Sequence, residues 1–246
     1  MGVRNIKLTI AYDGTEYHGW QIQPGFRTIQ GVLTEALEGL LGRKVRICGA
    51  SRTDAGVSAL GQVGLIQIDS PIPTENLAKA ITDRLPPDMA VVEAEDVPLG
   101  FDVIGAVKSK WYRYTIYNGT VRPVLHIRRC WHIPARLDIA AMDAAAKFLM
   151  GTKDFKSFAA GDEKREDTVR TIFRCDVTGD DSWIYVDVEG NSFLYNMVRN
   201  IVGTLVEVGV GRWRPEKINE ILEAKERTAA GPMAPAAGLC LRRIQY

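Results

Sequence analysis

The sequence predicts an α+β protein made of two similar halves, each on a split β-α-β plan with a mainly antiparallel sheet and helices on one face. Three observations carry the prediction. Segments with period-two alternation and segments with apolar stripes at helical spacing follow one another along the chain. The order β-α-β-β-α-β reads directly in residues 1–107, and a comparable succession recurs in residues 108–246. A chain of 246 residues has room for two domains of about 100 to 150 residues, with a site expected in the cleft between the halves.

In the first half, "NIKLTIAYD" alternates and is β-branched, a strand over 5–12. "TIQGVLTEALEGLLG" places Ile29, Val32, Leu33, Ala36, Leu37, Leu40 and Leu41 on one helical stripe, with Thr28 as N-cap and Gly42 as stop. "KVRICGA" and "LGQVGLIQID" are strands on either side of a polar connection, "TENLAKAITDRL" is a helix ended by Pro86, and "MAVVEAED" is a strand. In the second half, "KWYRYTIYN" is a strand, "RLDIAAMDAAAKFLMG" a helix, and "TVRTIFRCDVTG" with "SWIYVDVEG" a strand pair. "SFLYNMVRNIVGTLVEVG" and "RPEKINEILEAK" are helices, and "GLCLRRIQY" is a closing strand of this half.

Composition excludes several classes of function. Hydrophobic residues at 46% and charged residues at 25% suit a globular chain rather than a disordered one. No apolar run approaches the roughly 20 residues that span a bilayer, so no membrane association and a cytoplasmic location are expected. Cys48, Cys130, Cys175 and Cys240 have no paired spacing, and His18, His126 and His132 no metal spacing, so neither disulfides nor a metal site is expected. Dinucleotide, P-loop and zinc-protease motifs are absent. Net charge is only +1, but it is unevenly spread: residues 1–107 carry −4 and residues 108–246 carry +5. Residues 108–137 hold seven Lys or Arg and no acid, interleaved with Trp111, Tyr112, Tyr114, Tyr117 and Trp131. Such a stretch suits phosphate and base contacts, and equally a strand with a solvated basic face.

Three segments carry candidate chemistry. "YDGTEYHGWQIQ" is richer in aromatic and amide groups than a turn needs, which favours a binding loop. In "CGASRTDAGVSALGQV", Asp54 sits among small residues beside Arg52, either as a reagent open to a planar ligand or as half of an Arg–Asp turn pair. Arg199 lies in an otherwise apolar helix, where a cation requires an anion, and Asp54 is the expected partner. A nucleoside-bond hydrolase and a non-catalytic RNA-binding module are the other classes in play. The hydrolase normally needs a second carboxyl that the RTDAGV block does not supply.

These blocks, together with "KWYRYTIYN", "GTKDFKSFA", "GNSFLYNMVRNIVG" and the tail "APAAGLCLRRIQY", resemble the TruA family of tRNA pseudouridine synthases over nearly the whole chain. The family pattern GRTDAGVHA stands here with Ser51 and Ser58 in place of its first Gly and its His, and "FDVIGA" has Ile104 where the family commonly has Arg. The resemblance implies isomerisation of uridine to pseudouridine at tRNA positions 38 to 40 in the anticodon arm, without a metal or an organic cofactor. It also implies a homodimer whose two subunits jointly hold one tRNA. By motif, Asp54 is the catalytic aspartate, Tyr112 the aromatic that stacks on the target base, and Arg199 the cation that pairs with Asp54. Tyr17, Trp20 and Gln21 of the binding loop, Arg52 and Thr53 beside the aspartate, and Lys110 and Arg128 of the basic stretch are the expected substrate-binding residues.

Overall fold

The computed structural model describes residues 2–161, 165–180 and 182–246. In chain order the elements are β1 (Arg4–Tyr12), α1 (Ile29–Leu41), β2 (Ile47–Gly49), β3 (Ser58–Ile68), α2 (Thr74–Thr82) and β4 (Met89–Val97). They continue with β5 (Ser109–Tyr117), β6 (Trp131–His132), α3 (Ile139–Lys147), β7 (Gly151–Asp154), β8 (Val169–Asp180) and β9 (Trp183–Gly190). The chain closes with α4 (Met197–Gly209), α5 (Lys217–Ala224) and β10 (Leu239–Gln245). The α+β class expected from the sequence is what the chain adopts. It forms two compact units, Met1–Lys108 with Cys240–Tyr246, and Ser109–Leu239.

In the first unit the strands run in the order β4-β1-β3-β10, with β2 also on β3. β1 is antiparallel to both β3 and β4, while β10 is parallel to β3 through Cys240↔Ser58 and Leu241↔Ala59. Alternation in β1 buries Ile6, Leu8, Ile10 and Tyr12 on one face. Leu33 and Leu37 of α1 and Leu77 and Ile81 of α2 complete the core, each full burial worth about 1.5–3 kcal/mol. α1 has the predicted caps: the Thr28 hydroxyl accepts from the Gly31 amide, and Gly42 closes the helix at φ 66°. α2 ends at Thr82, before Pro86: the Asp83 amide still makes a helical bond to the Lys79 carbonyl, but the Arg84 and Leu85 amides tighten onto the Ile81 and Thr82 carbonyls. The closing strand was expected in the second half, but Cys240–Tyr246, which carry nearly all of β10, group with the first unit, where β10 runs parallel to β3, a long-range pairing that local alternation does not show.

In the second unit the order is β5-β9-β8-β7, all antiparallel, with the two-residue β6 parallel to β5. β6, β7 and α5 make this unit more than a repeat of the first. Tyr112, Tyr114 and Ile116 are buried on one face of β5, opposite Val188, Val186 and Ile184 of β9. On the other face Asp187, 1% exposed, takes Nε and Nη2 of Arg113 at 2.9 and 2.8 Å and the Trp111 indole N–H at 2.7 Å. α3 starts with Asp138 accepting from the Ala141 amide and packs on β8 and α4. α4 begins at Met197 rather than near Ser192. The Tyr195 carbonyl is taken by the Ala160 amide, and Asn196 is left-handed at φ 60°, so the helix cannot extend further back.

Candidate active site

In the first unit, Asp54 stands half-buried in the connection between β2 and β3. This loop is bound along its length. The Asp54 carbonyl accepts from the Val57 amide at 3.1 Å, closing a turn with Gly56 at φ 78°. The Trp20 amide donates to the Thr53 carbonyl at 3.0 Å, and the Gly56 amide to the Tyr17 carbonyl at 3.2 Å. The Ser58 hydroxyl accepts from the Gly14 amide. Residues 13–20 therefore lie backbone to backbone against the Asp54 loop. Gly19, at φ 83°, permits the approach, because a Cβ there would stand 2.6 Å from the Thr53 carbonyl oxygen.

That packing places three of the expected substrate-binding residues behind the loop. Trp20 and Tyr17 are each only 2% exposed, and Thr53 6%. Trp20 lies against Gly49, where any side chain would meet its indole. The Tyr17 hydroxyl donates to Asp88 Oδ1 at 2.6 Å, with the Arg27 guanidinium 4.1 Å above the ring. Burial first, then Asp88, holds this phenol far above its ordinary pKa. The Thr53 hydroxyl is paired with the Tyr12 hydroxyl at 2.8 Å. These three residues build the wall behind the loop. Arg52, by contrast, is exposed and forms no ion pair or hydrogen bond with any described residue, so the Arg–Asp turn pair is not made. Gln21 is exposed as well.

In the second unit, Lys110 and Tyr112 share one face of β5. Tyr112 is buried, with Phe193 edge-on to its ring at 5.3 Å. Lys110 is half-buried opposite Gly190, and burial together with the nearby Arg165 charge brings its ammonium down to about 8. Arg128 is exposed in a short 3-10 turn, Ile127–Arg129, on a loop and not on the strand face that the basic stretch suggested. Arg199 sits in the first turn of α4, half-buried. Its Nε donates to the Ala234 carbonyl at 2.8 Å and its Nη1 to Asn196 Oδ1 at 3.1 Å. The segment holding Ala234 can lie on α4 because residue 203 is glycine; a Cβ there would collide with the Pro232 carbonyl. The Tyr114 hydroxyl ties the same segment down through the Pro235 carbonyl at 2.7 Å. Burial pushes the Tyr114 phenol far up, and Arg199 partly offsets the rise.

Sequence reasoning missed Tyr12, Gln62, Asn196 and the Ala234 carbonyl. Gln62 alone carried a local signal, as an amide among the small and apolar residues Ala59–Ile66 of β3. Among the described residues no group of three or more His, Cys, Asp or Glu is arranged to hold a metal, and no helix is long and apolar enough to cross a membrane.

The chain is thus an α+β protein that carries a half-buried carboxylate on a braced glycine-containing loop of its first unit, and a buried tyrosine and a clamped arginine on its second. The family model described as tRNA pseudouridine synthase matches residues 8–104 and 145–246, so the chain belongs to that family of isomerases. Among its relatives, tRNA pseudouridine synthase A of Acetivibrio thermocellus is 42% identical over 244 residues, 99% of this chain and all of the relative. The protein of the same name from Moorella thermoacetica is 45% identical over 243 residues, 98% of this chain and 99% of the relative.

Proposed function

We propose that this protein converts uridine to pseudouridine at positions 38 to 40 of the tRNA anticodon stem-loop, with Asp54 as the one catalytic carboxylate. The observation that carries the reading is the Asp54 loop itself, whose flanking peptides are bonded to residues 17–20 while the carboxylate-bearing residue stays only half-buried. The reaction breaks the N1–C1′ bond, turns the uracil and joins C5 to C1′; the C5 proton is lost and N1 regains one, so atoms and electrons balance without an oxidant or reductant. A carboxylate serves either as nucleophile at C1′ or as base toward the 2′ hydrogen, and both roles require it ionised.

Arg199 is assigned to that carboxylate as its charge partner, which keeps its pKa low, and Tyr112 to stacking on the target base. The Tyr112 ring is largely covered in the free protein, so stacking requires the groups that cover it to give way. Exchanging base–base stacking for base–tyrosine stacking offsets part of the few kcal/mol needed to unstack the nucleotide. Lys110, Arg128, Arg52 and Gln21 are assigned to RNA contacts, the protein to a homodimer, and its location to the cytoplasm.

Product analysis on uridine-containing tRNA tests the reading: pseudouridine supports it, whereas free uracil marks a hydrolase and unchanged RNA a binding module. Asp54→Asn is expected to abolish turnover with tRNA affinity within about threefold; more than trace pseudouridine from that variant refutes the assignment. Arg199→Leu is expected to move the acid limb of the pH–rate profile upward, and Arg199→Lys to restore only part of the rate because it lacks the planar two-donor fork.

A further inference from the structure

Behind the Asp54 loop lies a buried polar cluster that strand formation does not require. Gln62 of β3 is 0% exposed. Its amide N–H groups reach the Ser51 carbonyl at 2.9 Å and the Tyr12 hydroxyl at 3.4 Å, and its amide oxygen accepts from the Val63 amide at 3.0 Å. Tyr12, 4% exposed, passes the chain of bonds on to the Thr53 hydroxyl at 2.8 Å. The two grips fall on either side of Arg52, and the second is on the residue immediately before Asp54.

A register shift between β1 and β3 sets this up: Ile10 stands opposite Gln62 and Tyr12 opposite Ala59, so β3 carries one extra residue where the two polar side chains meet. Burying an amide and a phenol is costly unless every group is bonded, and an apolar pair of the same volume would serve packing alone at least as well. What such a pair would lose is the hold on the loop.

We propose that Gln62 and Tyr12 are positioning residues for the isomerisation, holding Ser51 and Thr53 so that the Asp54 carboxylate is delivered in one orientation. The proposal rests on the reading of Asp54 as catalytic. Neither side chain is exposed to touch a nucleotide. Their effect therefore belongs in the rate of the chemical step and not in tRNA binding, because a small displacement of a reacting group costs rate steeply.

The test is single-turnover kinetics on tRNA with Gln62→Met, Tyr12→Phe and the double variant, each checked for folding by circular dichroism and assayed well below its melting temperature. Each single variant is expected to lose about 10- to 100-fold in the chemical rate while tRNA affinity stays within about threefold. Because the two residues act through one chain of bonds, the double variant should lose much less than the product of the two single losses. Thr53→Val, which removes the hydroxyl that Tyr12 grips, should reproduce Tyr12→Phe. Folded variants that show a lower melting temperature but the wild-type chemical rate would overturn the proposal. Should Gln62→Met not fold, Tyr12→Phe, which deletes a single hydroxyl, decides alone. Asp54→Asn run in parallel separates the two readings. If it is inactive while Tyr12→Phe runs at the wild-type rate, the positioning role fails alone; if it is active, the catalytic reading fails and the positioning role with it.

Discussion

Replacing Lys110 by Met should stabilise the protein at neutral pH and change how its stability responds to base. Lys110 is half-buried on the Tyr112 face of β5, where loss of water and the Arg165 charge bring its ammonium from the ordinary 10.5 to about 8. Below pH 8 the side chain is protonated in folded and unfolded chains alike, and folding must bury a charge. Between about 8 and 10.5 the folded protein gives up the proton first, so the unfolded chain binds more protons and stability rises with pH. At about 1.4 kcal/mol per tenfold, the drop corresponds to at most about 3.5 kcal/mol, an upper limit because the side chain keeps some solvent. Met retains a stem of similar length without the charge. Lys110→Met should therefore raise the melting temperature at pH 7 by up to about 10 °C, with the gap from wild type closing as pH approaches 10.5. Urea unfolding of both proteins from pH 7 to 10.5 measures the difference, and groups common to both cancel. A wild-type-minus-variant difference that stays flat across that range would refute the argument.

Gly203→Ala should cost about 3 kcal/mol in urea unfolding, because the new methyl meets the Pro232 carbonyl. It should also lower turnover in the folded fraction, since Ala234, two residues on, accepts from Arg199. Arg113→Met strands the Asp187 carboxylate, whose side chain is 2% exposed. The expected loss is about 2 to 3 kcal/mol, toward the low end of such pairs because Trp111 still donates and Arg174 stands at 3.9 Å. Arg128→Ala should weaken tRNA binding and reduce the log–log salt slope by about 0.7 to 0.9, as measured by filter binding at several salt concentrations; an unchanged slope would take Arg128 out of the phosphate contacts.

Local pattern was enough to specify much of this protein. The alternation of β1, the stripe of α1 with Thr28 and Gly42 at its ends, and the glycine turn carrying Asp54 are all written within a dozen residues each, because side-chain period and cap chemistry act over a single element. The RTDAGV and MVRNIVG blocks were specific enough to indicate the family that the comparisons then showed. What local pattern does not carry is which side chain ends up facing which, across separations of tens of residues. An aromatic-rich loop reads the same whether its rings are offered to a ligand or turned inward, and only the backbone bonds from Trp20 to Thr53 and from Gly56 to Tyr17 turned Tyr17 and Trp20 inward. Likewise the alternation of β10 does not say which unit it joins, and Cys240–Tyr246 group with the first, with β10 in parallel register with β3. Gln62 and Tyr12 come together 50 residues apart because a bulge shifts β3 by one residue against β1. Such long-range pairings depend on strand register and on the space left by residues such as Gly19 and Gly203, which the tertiary structure alone decides.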